Sequence, residues 1–227
     1  MRKAVTITGI TIAALFLCSF GDAFVVANYH RYQASKILTV LHTLHPGITT
    51  QAQAQEALRP FSPYRQTYES QLPEETANTA TYTFDNSPST TIASLEMMRS
   101  IPFRILYRWA LFSVELRFKS GYLAEIKIVE MQQDHPGYPH PNGVSVRMTS
   151  SKLTGSSFPD ANGYYEHSSN TFSVDEKGNP TGFTCCYKRT IEMDERATVD
   201  QTAHALNFQL QCMTSFIGCK NDRQILP

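Results

Sequence analysis

From Ala110 to Lys119, apolar and polar residues alternate almost without a slip. Ala110, Phe112, Val114, Leu116 and Phe118 hold one parity and Ser113, Glu115, Arg117 and Lys119 the other, with Leu111 the exception. A period of two belongs to a strand with one dry face, because successive side chains point to opposite sides of the sheet. After Ser120-Gly121 the pattern resumes, with Ala124, Ile126 and Ile128 set against Glu125 and Lys127. The two runs, residues 109–131, read as an antiparallel hairpin that turns Phe112, Val114, Leu116, Ile126 and Ile128 toward a covering layer.

Helices upstream are the natural cover. Ile37, Val40, Leu41 and Leu44 fall at i, i+3, i+4 and i+7, one helical stripe that Pro46-Gly47 ends. Thr49 or Thr50 caps a second helix over 51–58, which Pro60 and Pro63 stop. Residues 60–80 read as loop, Tyr82 and Phe84 as strand, and 92–99 as a short helix with Leu95 and Met98 on one side. The Pro- and Gly-rich stretch 132–143 reads as a loop. Val144, Val146 and Met148 resume alternation, and short strands are expected near 172–174, 183–187 and 206–212. The expected class is α+β, a helix pair packed on a largely antiparallel sheet behind an N-terminal transmembrane helix.

That transmembrane expectation comes from Ala4–Gly21, 18 uncharged residues that follow Arg2 and Lys3. As a helix they reach about 27 Å, close to the roughly 30 Å hydrocarbon core of a bilayer. An uncleaved single-pass anchor is the leading reading, with membrane contact through residues 4–27. Gly21-Asp22-Ala23 supplies the alternative, a small-x-small site that permits signal cleavage after Ala23. Cys18 follows Leu17, which is too large for a lipoprotein site. Residues 1–30 are thus the anchor or signal segment and 31–227 the exported domain, with a subdivision possible near 132–143. On either reading the domain lies outside the cytoplasm, tethered by the membrane span or secreted or periplasmic after cleavage.

The chain of 227 residues balances 20 basic against 20 acidic side chains. A neutral chain has no electrostatic reason to bind nucleic acid. Its 41 % hydrophobic content sets it apart from disordered chains. Four of the five cysteines, Cys185, Cys186, Cys212 and Cys219, lie in the exported part, an even number suited to an oxidising compartment. Cys212 and Cys219 are close enough in sequence for a turn through Gly218 to join them.

Candidate chemistry is sparse. Asp134, His135 and His140 form a carboxylate-imidazole mixture that suits a metal, though in a loop rich in proline. His42 and His45 stand three apart at a helix end, where a positive side chain is favoured by the dipole. Cys185 or Cys186 with a distant His167 or His204 is a formal cysteine-histidine combination, but neither cysteine carries a local signature. Gly143-Val144-Ser145-Val146-Arg147 lacks the second glycine of a nucleophile elbow. Residues 175–179 read as a plain turn. Tyr164 and Tyr165 suit a binding surface or a strand. No cofactor motif and no small-molecule site is legible.

A helix, then Pro46-Gly47-Ile48-Thr49-Thr50, then a short helix ending Ala57-Leu58-Arg59-Pro60 resembles the opening of the small outer-membrane-assembly lipoproteins (the SmpA/OmlA, or BamE-like, group). The 109–131 hairpin resembles the strand pair that follows in that fold. The resemblance implies a helix pair over an antiparallel sheet, and its Leu58-Arg59-Pro60 departs from the family's usual Leu-Gly-x-Pro. The functional expectation is a membrane-anchored extracytoplasmic module acting by protein binding or envelope assembly, with an envelope protein as partner. The alternative is an exported enzyme, a metal-dependent or other hydrolase, using the Asp134/His135/His140 loop.

Overall fold

The computed structural model describes residues 2–66, 79–85, 110–135, 138–155, 162–174, 180–214, 218–219 and 221–227. Its strands are β1 (Arg65–Gln66), β2 (Thr79–Asp85), β3 (Ala110–Lys119), β4 (Tyr122–His135), β5 (Tyr138–Thr149), β6 (Tyr164–Val174) and β7 (Pro180–Asp194). They form one sheet in the order β1-β2-β3-β4-β5-β7-β6. The helices are α1 (Arg2–Leu41), α2 (Gln51–Leu58), α3 (Ser151–Thr154), α4 (Val199–Ala205) and α5 (Asp222–Ile225), with 3-10 turns at Arg59–Tyr64 and Leu210–Met213.

The alternation reads through. Phe112, Val114, Leu116, Ile126 and Ile128 are all wholly buried, and they share one core with Ala34, Ile37 and Leu41 of α1 and Leu58 of α2. Phe84 of β2 and Phe208 of the C-terminal segment pack against Phe112 on either side, with ring centres 6.3 and 5.8 Å away. The second helix begins where expected. Thr50 is its N-cap, its hydroxyl accepting from Gln53 N while Gln53 Oε1 accepts from Thr50 N at 2.9 Å, a reciprocal capping box.

The sheet is mixed, not purely antiparallel. The β6–β7 hairpin places β7 beside β5, and those two strands run parallel from Asn142↔Tyr187 to Thr149↔Asp194. Residues 132–143 do not form a loop, since β4 runs to His135 and β5 starts at Tyr138. Asn142-Gly143 misleads because glycine is needed there for packing and not for a turn. A Cβ on Gly143 would come within 3.1 Å of Glu130 O and 3.0 Å of Met131 Cγ. Residues 206–212 hold no strand either: a second Thr-Gln capping box, Thr198 with Gln201, starts α4, and a 3-10 turn follows. The helix expected over 92–99 lies outside the described residues.

The N-terminal transmembrane helix is the main correction. Among the described residues, no helix is long and apolar enough to cross a membrane. The apolar run is diluted by Thr6, Thr8, Gly9, Thr11 and Ser19, and it does not end as a separate span. α1 continues through Asp22 into the stretch that buries Ala27, Ala34, Ile37 and Leu41 against the sheet.

The opposite sheet face carries a cross-strand ion lattice. Arg117 Nε meets Glu115 Oε1 at 2.8 Å, Lys127 Nζ meets Glu115 Oε2 at 3.5 Å, and Arg147 joins Glu125 at 2.9 Å and Glu192 at 3.4 Å. All of these groups but the buried Glu125 stay in contact with water, so the pairs made by Glu115 contribute little. Phe112→Ala should therefore cost about 3 to 5 kcal/mol in urea unfolding. Glu115→Ala, on the charged face, should stay within about 1 kcal/mol. Equal losses would mean that the two faces are assigned wrongly.

Candidate functional site

A cleft of about 410 Å³ lies between the α1–α2 turn and the β7–α4 turn. Its first wall follows from the Pro46–Thr50 sequence. β5 ends at Thr149, opposite Glu125 and three residues short of the start of β4, and the turn occupies the edge of β4 left open there. Gly47 N donates to Leu123 O at 2.8 Å, Leu123 N donates to Thr49 O at 2.8 Å, and Gln51 N donates to Gly121 O at 2.9 Å. Gly47 has φ +80°, and a Cβ there would come within 2.6 Å of Ser150 Oγ, so glycine is required for both conformation and space. Thr49 is buried and its Oγ1 accepts from His45 N at 2.8 Å, closing the turn on itself. Ile48 is left pointing outward, 73 % exposed.

The second wall is as firmly built. Asp194 closes β7 by accepting from Arg196 N at 2.8 Å and from the Arg196 guanidinium at 2.6 to 3.1 Å. Burial opposes ionisation of Asp194, yet the Arg196 hydrogen bonds and charge hold its carboxyl below the usual range. Glu195 is partly desolvated as well, but Ser151 donates to it from Oγ at 2.6 Å and from N at 3.2 Å, which also lowers its pKa. Thr198 then caps α4 and sets Val199 at the first helical position, 84 % exposed. Met148 and Ala197, both partly buried against the core, line the cleft between Ile48 and Val199.

His42 and His45 both line this cleft on the α1 side. Their spacing thus places them together, though as wall residues beside apolar groups. The carboxylates opposite, Asp194 and Glu195, are committed to Arg196 and Ser151. The arrangement is suited to receiving an apolar group.

The other candidates are scattered. Asp134 and His135 lie in β4 and His140 in β5, on paired strands, and their side chains fall outside the described ones. Among the described residues no group of three His, Cys, Asp or Glu is placed to hold a metal. Cys212 and Cys219 are paired as a disulfide with α-carbons 4.9 Å apart. Cys185 and Cys186 lie in β7, their side chains not described, and Cys18 is exposed on α1. Ser145 is buried in mid-strand between Val129 and Thr190, where no nucleophile is presented. His204 accepts from Arg189 at 3.3 Å, and the His167 ring lies 5.1 Å from that of Tyr165. Tyr164 donates to Glu166 at 3.0 Å, and burial together with that bond and charge pushes its phenol up to about 12.

Two inward-facing groups went unread. The parity of Ile126 and Ile128 continues to Glu130 and Gln132, and both are wholly buried. Gln132 clamps the backbone of Cys219, accepting from its N at 2.8 Å and donating to its carbonyl. Both carboxyl oxygens of Glu130 lack a hydrogen-bond partner, and desolvation pushes its pKa well above the usual range. Comparison with protein-family models, curated proteins and solved structures found no match to this chain.

A pH dependence follows from Glu130. The folded protein keeps this proton to higher pH than the unfolded chain does. The stability it allows is therefore complete below the ordinary glutamate pKa and is lost as pH rises through the raised folded value. Glu130→Gln should flatten that decline when urea unfolding is compared at about pH 5 and about pH 8. An identical decline in both proteins would clear Glu130 of the effect.

Proposed function

We propose that this chain is an exported binding module that holds an apolar segment of another protein in the cleft between the α1–α2 and β7–α4 turns. The observation that carries the reading is the pair Ile48 and Val199, 73 % and 84 % exposed on the two turns that line the cleft together with Met148 and Ala197. Exposed aliphatic side chains flanking an apolar hollow are a feature of contact surfaces. Both residues stand on turns fixed by backbone bonds and capping boxes, so little ordering cost accompanies docking. Export is supported by the Cys212–Cys219 pair, since disulfides persist in oxidising compartments. An envelope-assembly role, with an envelope protein supplying the bound segment, belongs to this proposal.

A photoreactive residue at position 199 of the full chain, expressed in its own envelope, tests the reading. A discrete adduct should form, and Ile48→Asp should reduce it by at least about tenfold, the equivalent of 1.4 kcal/mol. Glu56→Ala, at an exposed α2 position outside the cleft, should leave it unchanged. An adduct indifferent to Ile48→Asp would overturn the cleft as the binding surface.

A further inference from the structure

We propose that the Ala23–Phe24 peptide bond is a processing site, hydrolysed by a signal peptidase during export so that the working domain begins at Phe24. This rests on the export half of the reading above and is independent of the cleft. One observation marks this bond, and two mark a boundary shortly after it.

The first is chemical. Arg2 and Lys3 precede an uncharged stretch, and Gly21 and Ala23 place small residues at the third and first positions before the bond, as such peptidases require. The second is a burial boundary. Among described side chains from Ile7 to Val26 none is buried, and Ile7, Leu17 and Val25 are 65 %, 73 % and 65 % exposed. From Ala27 onward the same helix buries Ala27, Ala34, Ile37 and Leu41. The third is geometric. His30 Nδ1 meets the carbonyl of Asp85, the last residue of β2, so α1 has reached the end of that strand just after the boundary.

A cut after Ala23 thus removes a segment that makes no described core contact and leaves every buried residue of α1 in place. Phe24–Leu41 still spans about 27 Å, enough to cross the sheet. The step consumes one water, breaks the Ala23–Phe24 amide, and leaves a carboxylate on Ala23 and an ammonium on Phe24.

The test is to express the full chain with a C-terminal tag in a bacterial host, fractionate the cells, and measure the intact mass of the tagged protein in each fraction. The expected result is an exported protein whose N-terminus is Phe24. Ala23→Phe should lower the mature form by about tenfold or more and leave precursor with the membrane, because a large residue there blocks cleavage. An exported protein that keeps residues 1–23, or one cut elsewhere, overturns the processing site and leaves export standing. Protein confined to the cytoplasm, with Cys212 and Cys219 both open to alkylation, overturns export and the processing site together.

Discussion

Two backbone hydrogen bonds tie the turn after α1 to the edge of β4: Gly47 N to Leu123 O and Leu123 N to Thr49 O, each 2.8 Å. They form because β5 ends before β4 begins, which leaves the first residues of β4 with unpaired backbone groups that burial would penalise. The turn after α1 fills that edge like a short strand. Its position fixes where α1 leaves the sheet, where α2 starts, and how far Ile48 projects. Only glycine at position 47 allows the close approach to Ser150, so one residue without a side chain governs the placement of two helices.

The two faces of the sheet resolve their charges in opposite ways. On the outer face Glu115, Arg117, Glu125, Lys127, Arg147 and Glu192 alternate in sign across β3, β4, β5 and β7, and all but the buried Glu125 remain partly hydrated. On the inner face Arg189 is nearly buried, and it is tolerated because Glu166 lies 2.5 Å from its Nε, Leu226 O accepts from Nη1 at 2.6 Å, and His204 accepts from Nη2. Glu130 has no such partner and remains buried by keeping its proton. Both outcomes follow from the cost of burying a charge, which is met by pairing in one case and by neutralisation in the other.

What the sequence made legible is what local periodicity and capping encode. The β3–β4 hairpin, its buried parity, the span of α2 and its Thr50 cap all come from patterns within ten residues of one another. The parallel seam between β5 and β7 does not, since it depends on which edge the β6–β7 hairpin finds. Asn142-Gly143 read as a turn because its glycine is recognisable and its close neighbour, the Glu130 carbonyl, is not. The cleft was half visible: His42 and His45 were singled out by spacing, but Ile48 and Val199 are isolated aliphatic residues that acquire meaning only when two distant turns meet. Glu130 was within reach, since extending the parity of Ile126 and Ile128 by two residues places it inside.

The C-terminal segment shows how an irregular stretch becomes ordered without strand or long helix. It is held by three kinds of tie, two to the sheet and one within itself. Gln132 satisfies the backbone N–H and carbonyl of Cys219, Arg189 satisfies the carbonyl of Leu226, and Gln209 N donates to Ile225 O at 2.7 Å. Each tie removes a buried polar group that would otherwise oppose docking of Ile225 and Leu226, both fully buried. The disulfide joins cysteines seven positions apart, a loop too short for a large entropic contribution on the chain-closure estimate, roughly 3 kcal/mol at most. Its effect is positional: by joining the Leu210–Met213 turn to Cys219, it keeps the Gln132 clamp and the Arg189 clamp acting on one body. The apolar tail can then dock as a unit, because its polar backbone is already satisfied from the sheet beneath it.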